Sequence, residues 1–412
     1  MALDRLGAPR RLLLAVSGGA DSMAMMRLAA PLGARFKISV ATVDHQLRSG
    51  ARAEAELVAG EARRLGFSHA ILDWDGVKPA SGVQAAARRA RYRLLIDHAC
   101  ALGADAIVTA HNADDQAETV FMRLQRGSGP RGLAGMTERS FVAADAGEAL
   151  PLLRPLLGVR RRALRKLLTA ENAAFVDDPS NEDAAFERVR VRRTLVRLEE
   201  EGALSVAALC ETARAAREAA DRIEAQENER FAALGGALDD NGIARLKAAK
   251  LSVGDAPLIA RLIQAVAGGD HQPDADRSAA ALMAALSGRK ATLGGAMLAR
   301  SDADFFIFRE PAAVLGRAGV APLGMVRLQP GGRALWDARF IVSNPTSEAV
   351  DVRPAGAAGA GDFPGEDPDR IAGAPALWGR GGLLGLAAEF DAAKALADER
   401  FFRRVNRFAE IT

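Results

Sequence analysis

Short apolar runs alternate with helical patterns through the first 180 residues, and this alternation restricts the possible fold more than any other feature. Four runs have the length and composition of buried strands: residues 11–17, 37–44, 69–74 and 105–111. The segments between them carry apolar residues at helical spacing, as in residues 21–32 and 52–65. Strands that alternate with helices in this way predict a doubly wound, mostly parallel α/β sheet.

Polar side chains stand where three of these strands end. Ser17, Asp44 and His111 each close one of the apolar runs. Ligands of doubly wound sheets bind beyond the carboxyl ends of the strands. We therefore expect these three residues to lie beside a common ligand site.

The rest of the sequence predicts two further domains, because 412 residues are too many for one ordinary core. Residues 205–235 predict a long amphipathic helix and more helices follow, whereas short apolar runs after residue 311 predict strands. A helix capping box is also predicted at Ser81 and Gln84. We predict a catalytic domain at residues 1–200, a helical middle domain at 201–310 and a small C-terminal α+β domain at 311–412.

The composition predicts a soluble globular protein, with 49% hydrophobic and 26% charged residues. Cys100 and Cys210 form neither a disulfide framework nor a Cys-x-x-Cys pair. The apolar run after the first arginines is too short for a signal peptide, and none approaches the roughly 18 residues of a membrane span. We therefore expect a cytoplasmic protein with no membrane partner.

The segment after the first strand has the composition of a phosphate-binding loop, Ser17-Gly18-Gly19-Ala20-Asp21-Ser22. Its glycines let the backbone approach an anion, and the helix that follows offers free N–H groups. Since Asp21 would repel a bare phosphate, we expect a magnesium ion shared with a polyphosphate. The alternative is a simple strand–helix turn capped by Asp21 and Ser22.

A second polar segment follows the fourth strand. Asp114, Asp115 and Glu118 fall on one turn of a predicted helix, with His111 at its start. Carboxylates this close repel one another in a cleft, so the pattern predicts a metal ion or a cationic substrate. The alternative is a solvated acidic first turn, which the helix dipole favours.

Together the two segments resemble the signatures of a known enzyme group. Ser-Gly-Gly-x-Asp-Ser after a first strand resembles the PP-loop of ATP pyrophosphatases, and residues 111–119 resemble the His-His-x-Asp-Asp-Gln-x-Glu-Thr signature of tRNA(Ile)-lysidine synthetases. Other segments are similar to that family as well: residues 43–48, 87–95, 126–136, 154–157 and 177–181. Two residues depart from its pattern, because Asn112 replaces a second histidine and Val189 replaces a common asparagine.

The resemblance implies a two-step reaction. ATP adenylates O2 of the wobble cytidine in the isoleucine tRNA that carries a CAU anticodon, and the ε-amine of L-lysine then attacks C2. The products are lysidine, AMP and pyrophosphate, and the implied cofactors are ATP and Mg²⁺. The oligomeric state stays open, with a homodimer as one alternative.

The resemblance also implies site residues at the matching positions. The implied catalytic group is Asp115, Glu118, Arg91, His111, Arg188 and Arg192. Nucleotide contacts are implied for residues 17–22 and Asp44, and metal contacts for Asp21 and Asp115. Two alternatives stay open: Arg91 forms a structural ion pair, and either His111 or a carboxylate deprotonates the lysine amine.

A basic stretch predicts the RNA-binding surface. Residues 154–197 contain 11 Arg and Lys against 6 Asp and Glu, although the whole chain has a net charge of only +3. Such clustering suits a phosphate backbone, and we expect Arg161 and Arg165 to contact RNA. Arg88, Arg89 and Arg93 are expected at the surface or facing RNA. A solvated basic helix face is the alternative.

Three other functions are disfavoured. A tRNA 2-thiocytidine synthetase needs Cys-x-x-Cys pairs, which this chain lacks. A synthetase of the GMP or asparagine type needs a glutaminase domain, which the sequence does not show. An RNA-binding protein with a decayed nucleotide site is disfavoured because Asp21, Asp115 and Glu118 are all present.

Overall fold

The computed structural model describes most of the chain, namely residues 10–47, 50–76, 78–79, 81–143, 149–177, 187–269, 271–319, 321–358, 363 and 367–395. It divides into two compact units. The division falls between Glu224 and Ala225, inside one long helix. The predicted domain boundaries at residues 200 and 310 stay predictions.

The first unit is built on a six-stranded sheet of order β3-β2-β1-β4-β6-β5. Its strands are β1 (Arg11–Ala15), β2 (Lys37–Asp44), β3 (Ser68–Asp73), β4 (Ala106–Val108), β5 (Arg139–Ala143) and β6 (Ala149–Leu153). β1 pairs in parallel with β2 and β4, β2 with β3, and β4 with β6. The predicted doubly wound α/β sheet is confirmed, and β2 has the predicted bounds.

Helices connect these strands and continue beyond them. They are α1 (Ala20–Ala29), α2 (Ala51–Arg64), α3 (Val83–Ala101), α4 (Ala113–Gln125), α5 (Pro130–Leu133), α6 (Arg161–Ala170), α7 (Glu187–Glu200) and α8 (Val206–Ala233). The long helix predicted at 205–235 is α8. The capping box predicted at Ser81 is wrong, because Gly82 is the N-cap of α3 with φ +65° and no side chain caps the helix.

One core cluster of this unit lies between the sheet and three helices, α1, α2 and α6. Leu12 and Leu14 of β1 are buried against Met23 of α1, and Leu164 and Leu168 of α6 complete the cluster. Burying such side chains supplies most of the free energy of folding, about 1.5–3 kcal/mol for each large one. This packing fixes the start of α6 next to the start of α1.

The second unit begins with a five-stranded sheet of order β7-β8-β11-β10-β9. Its strands are β7 (Ala237–Leu238), β8 (Ala244–Lys247), β9 (Ala291–Leu293), β10 (Ala296–Ser301) and β11 (Asp304–Arg309), and its helices are α9 (Ala256–Ala267) and α10 (Ala275–Leu286). The sequence analysis predicted the helices of this segment and did not predict the sheet.

Short strands follow, as predicted. A four-stranded sheet has the order β12-β15-β16-β17 and a three-stranded sheet the order β13-β14-β18. The elements are α11 (Pro311–Leu315), β12 (Val326–Leu328), β13 (Arg333–Trp336), β14 (Phe340–Ser343), β15 (Val350–Pro354), α12 (Pro368–Ile371), β16 (Pro375–Gly379), β17 (Gly382–Leu386) and β18 (Ala393–Ala395). The basic and aromatic segment at 400–408 lies outside the described residues. Within the described ranges, no helix combines the length and apolar character needed to cross a membrane.

Candidate active site

The loop between β1 and α1 is held in shape by its own serines. The Ser17 backbone N–H donates to Ser22 Oγ at 3.1 Å, and Ser22 Oγ donates to the Gly19 carbonyl at 2.9 Å. Gly18 has φ +90°, where a side chain would be strained. Gly19 is the N-cap of α1 and no side chain caps it. The free N–H groups of the first turn therefore remain available to an anion.

Asp21 does not act as a helix cap. Its Oδ2 accepts a hydrogen bond from Arg161 Nε at 3.1 Å. Its Oδ1 is buried and has no hydrogen-bond partner among the described residues. A buried oxygen of this kind is costly unless a cation or donor reaches it, so Asp21 is a candidate ligand residue.

The acidic turn at the start of α4 is organised by Asn112. Asn112 Oδ1 accepts the N–H groups of Asp114 and Asp115 at 3.0 and 3.1 Å, and Asp115 Oδ2 accepts the Asn112 N–H at 3.0 Å. This reciprocal capping box fixes the position of the Asp115 carboxylate. It also explains how Asn112 fits a position where the resembling family usually has histidine.

The three carboxylates of this turn have separate surroundings. Asp114 accepts the backbone N–H of Arg161 at 2.7 Å and also contacts the Arg160 side chain, so it caps the start of α6. Asp115 and Glu118 instead point to a cluster of arginine side chains. The cations that face this pair in the structure belong to the chain itself, and the predicted metal ion or cationic substrate stays a prediction.

Arg161 joins the two motifs. Its Nη2 lies 2.8 Å from Asp115 Oδ1, its Nη1 3.2 Å from Glu118 Oε1, and its Nε reaches Asp21. Glu118, whose side chain is only 2% exposed, also accepts hydrogen bonds from Arg188 Nε and Arg192 Nε, each at 2.8 Å. The phosphate-type loop and the acidic turn thus meet at one guanidinium group.

Of the site residues described so far, all but Gly18 and the buried Asn112 line one cavity of about 1720 Å³ inside the first unit. Arg88 and Arg91 of α3 and His111 also line it. A volume of this size exceeds the 300–1,000 Å³ typical of a site for one small ligand. The cavity can therefore hold ATP together with part of a second substrate.

Comparison with known proteins shows which family the sequence of this chain matches. A family model described as a PP-loop domain matches residues 3–199. The chain is 36% identical to the tRNA(Ile)-lysidine synthase of Ruegeria pomeroyi over 96% of its own length and 93% of the relative's. It is 42% identical to the synthase of Methylobacterium nodulans, over 74% of this chain and 92% of that protein.

The chain belongs to the tRNA(Ile)-lysidine synthase family. It is therefore a ligase of the PP-loop ATP pyrophosphatase group, as the two motifs predicted. A further relative from Bradyrhizobium is 48% identical over 56% of this chain and 66% of its own length.

The family motifs do not all lie in the cavity. Asp44 is buried, accepts the Gln46 N–H at 2.8 Å and is not among the lining residues, so its nucleotide contact stays a prediction. Its neighbour His45 does line the cavity and packs edge-on against Trp74. Burial, together with the charge of Arg91, lowers the pKa of His45 to about 4. Val189, the second departure, is buried on α7.

Electrostatic surroundings differ among the titratable groups. Burial raises the pKa of Asp115 and outweighs the opposing charges of Arg161 and Arg188. Burial also acts to raise the pKa of Glu118, but the hydrogen bond from Arg192 and the charges of the surrounding arginines lower it below its ordinary value. Burial and the charges of Arg154 and Arg91 hold the pKa of His111 well below its usual range.

The arginines of α3 divide between the cavity and the surface. Arg91 lies over the Tyr92 ring at 5.5 Å, and no carboxylate in the described ranges forms an ion pair with it. The described residues therefore give no support to the alternative that Arg91 forms a structural ion pair. Arg88 lines the cavity, whereas Arg89 and Arg93 are exposed.

Sequence reasoning missed the position of Arg161. It was assigned to an RNA surface, but its side chain is 17% exposed and lies inside the site. The signal available was only its place in an arginine run, 160–162, which does not distinguish a surface from a cavity. Arg162, Arg165 and Lys166 of the same helix are exposed.

Proposed function

We propose that this cavity brings together ATP, L-lysine and the wobble cytidine of the tRNA(Ile) with a CAU anticodon. The protein then forms lysidine with release of AMP and pyrophosphate. The observation that carries the proposal is the meeting of the PP-loop and the acidic turn at Arg161, within one cavity. Membership of the lysidine synthase family supports the choice of substrates.

The first step forms a bond between cytidine O2 and the α-phosphorus while the bond to pyrophosphate breaks. The loop N–H groups at the start of α1 bind phosphate oxygens. Arg91, with Arg188 or Arg192, stabilises the negative charge that moves onto the leaving group. Arginine suits this role because its planar group binds two oxygens at once and stays charged.

Asp21 and Asp115 are the residues that would hold Mg²⁺. They fit this ion because both lie within reach of one guanidinium group and because Asp21 Oδ1 is buried without a partner among the described residues. No group of three or more such ligand side chains occurs in the described ranges, so phosphate and water oxygens would complete the shell, as Mg²⁺ prefers. When bound, the ion withdraws charge from the phosphate.

In the second step the lysine ammonium group gives one proton to a base, for which His111 and a carboxylate are the two candidates. The neutral ε-nitrogen then bonds to C2 while the C2–O bond to AMP breaks, and a second proton leaves this nitrogen for water. A carboxylate of the acidic turn orients the lysine amine by accepting a hydrogen bond from it. His111 accepts or donates one hydrogen bond to Thr109 across 2.9 Å, and its lowered pKa keeps it neutral near pH 7. We propose that His111 orients a substrate by hydrogen bonding.

The substrate requirement provides the direct test. We expect purified protein with Mg²⁺ and ATP to release pyrophosphate only when both lysine and CAU-anticodon tRNA(Ile) are present. Pyrophosphate is measured by a coupled assay, and the modified tRNA by mass spectrometry. Turnover with ammonia or a sulfur donor in place of lysine, or with a tRNA whose wobble base is not cytidine, would contradict the proposal.

Exposed basic residues of α6 are expected to contact the tRNA backbone. Changing both Arg162 and Lys166 to alanine should weaken tRNA binding and reduce the slope of log affinity against log salt by about 2. Filter binding across a salt series measures the slope. Arg64→Ala, at an exposed arginine paired with Glu61 on α2, is the matched control. An unchanged slope in the double variant would place the RNA elsewhere.

A further inference from the structure

Arg161 occupies the place that the proposed metal ion would need. Its three guanidinium nitrogens each face a different carboxylate, and two of these carboxylates are Asp21 and Asp115. The distances are 3.1, 2.8 and 3.2 Å, and the side chain is 17% exposed. A cation bound between Asp21 and Asp115 would compete with this group for the same oxygen atoms.

The charges around Arg161 indicate that its guanidinium group needs a new partner once a metal ion binds. Asp21, Asp115 and Glu118 carry three negative charges, and they face three arginines, Arg161, Arg188 and Arg192. The cluster is therefore neutral as it stands. Mg²⁺ on two of the acids would leave Arg161 in excess, whereas the ATP triphosphate would supply the negative charge to pair with it.

We propose that Arg161 pairs with both Asp21 and Asp115 in the ligand-free enzyme. When Mg²⁺–ATP binds, Mg²⁺ replaces Arg161 at these two carboxylates, and the Arg161 side chain then binds the pyrophosphate part of the nucleotide. This inference rests on the proposed function. Arg161 thus neutralises the two carboxylates when no metal ion is bound, and it binds phosphate oxygens during the first step.

Only the side chain has to move. The Arg161 backbone N–H is bonded to Asp114, and Leu164 and Leu168 hold α6 in the core. Glu118 keeps Arg188 and Arg192 as partners after Arg161 leaves, so its buried charge stays neutralised. The long arginine side chain can therefore exchange partners without a rearrangement of the fold.

The test uses Mn²⁺ alone as the probe, titrated into the full-length protein and followed by the electron paramagnetic resonance signal of the free ion. Arg161→Gln should bind Mn²⁺ about tenfold more tightly than the wild type, because a competing positive charge is gone. The same variant should bind ATP in the presence of Mn²⁺ about tenfold more weakly, because a phosphate ligand is gone. Tighter Mn²⁺ binding reports the competition for the carboxylates, and weaker ATP binding reports the phosphate contact, which a purely structural role for Arg161 would not produce.

Arg64→Gln is the matched control, since Arg64 is exposed on α2, pairs with Glu61 and is not among the residues that line the cavity. It should leave Mn²⁺ affinity unchanged. If circular dichroism shows that Arg161→Gln is not folded, Arg161→Lys replaces it, and its compact ammonium group should give an intermediate gain in Mn²⁺ affinity. Equal or weaker Mn²⁺ binding in the folded variant would overturn the inference.

Failure of the proposed function has a different signature. If the wild type releases no pyrophosphate with lysine and tRNA(Ile), the substrates are wrong, whatever Mn²⁺ affinity shows. If the wild type is active but Arg161→Gln does not gain Mn²⁺ affinity, only the exchange of Arg161 is wrong.

Discussion

Changing Asp115 to asparagine should lower pyrophosphate release by about a thousandfold while tRNA affinity stays within about twofold. The substitution keeps the shape of the side chain and one oxygen that can accept the Asn112 N–H, so the start of α4 should remain capped. It removes the negative charge that attracts Mg²⁺ and the lysine ammonium group. Pyrophosphate release is measured at saturating substrates, and tRNA affinity by filter binding.

Asp114→Asn is the matched control for this prediction. Asp114 is the adjacent carboxylate, but it contacts Arg160 and the backbone of Arg161 rather than the arginine cluster around Glu118. We expect it to lose less than about tenfold in turnover, since it loses a helix cap. Equal losses of turnover and tRNA affinity in Asp115→Asn would show that this carboxylate maintains the fold rather than the chemistry.

The sequence predicted the sheet and the two motifs because both depend on local patterns. Apolar runs of strand length identify β1, β2, β3 and β4, and the parallel order follows from the helices between them. Since the ends of parallel strands share one edge, the sequence alone places Ser17 and His111 beside one site, and both line the cavity. The residue pattern typical of a helix N-terminus likewise predicts that the acidic turn begins the helix after the fourth strand.

Contacts between distant parts of the chain could not be predicted in this way. Arg161 is 140 residues from Asp21, and only the packing of α6 against α1 brings them together. Gln116 shows the same limit: it lies in the acidic motif, yet its side chain bonds both backbone groups of Met136. Motif membership therefore does not separate a residue that meets substrate from one that holds a loop.

The sheet of the second unit was missed for a related reason. β7 and β9 have only two and three residues, and β8 begins with an alanine and is followed by two more, which are equally common in helices. Strands this short have too few residues to show an alternating pattern. They are stabilised by pairing, β7 with β8, β8 with β11 and β9 with β10, and that pairing is a tertiary effect.

Glu118→Gln should reduce the free energy of unfolding by about 2 kcal/mol near pH 7.5, because it removes the buried counter-ion that three partly exposed arginines share. Glu118 faces Arg161, Arg188 and Arg192 directly, and Asp115 is the nearby acid. Urea unfolding followed by circular dichroism measures the change. Glu199→Gln is the control, since Glu199 pairs with Arg160 at a partly exposed site and should cost about 1 kcal/mol or less.

The pH dependence of the stability difference between wild type and Glu118→Gln distinguishes a charge effect of Glu118 from a packing effect. The folded state lowers the pKa of Glu118 below its ordinary value of 4.5, so its stabilising effect is complete above that value and disappears as the pH falls through the lowered folded-state pKa. Asp115 has a raised pKa and acts with the opposite sign, but it is present in both proteins. The difference between wild type and Glu118→Gln should therefore shrink at acid pH. A difference that stays constant with pH would mean that Glu118 acts through packing rather than as the counter-ion of the arginines.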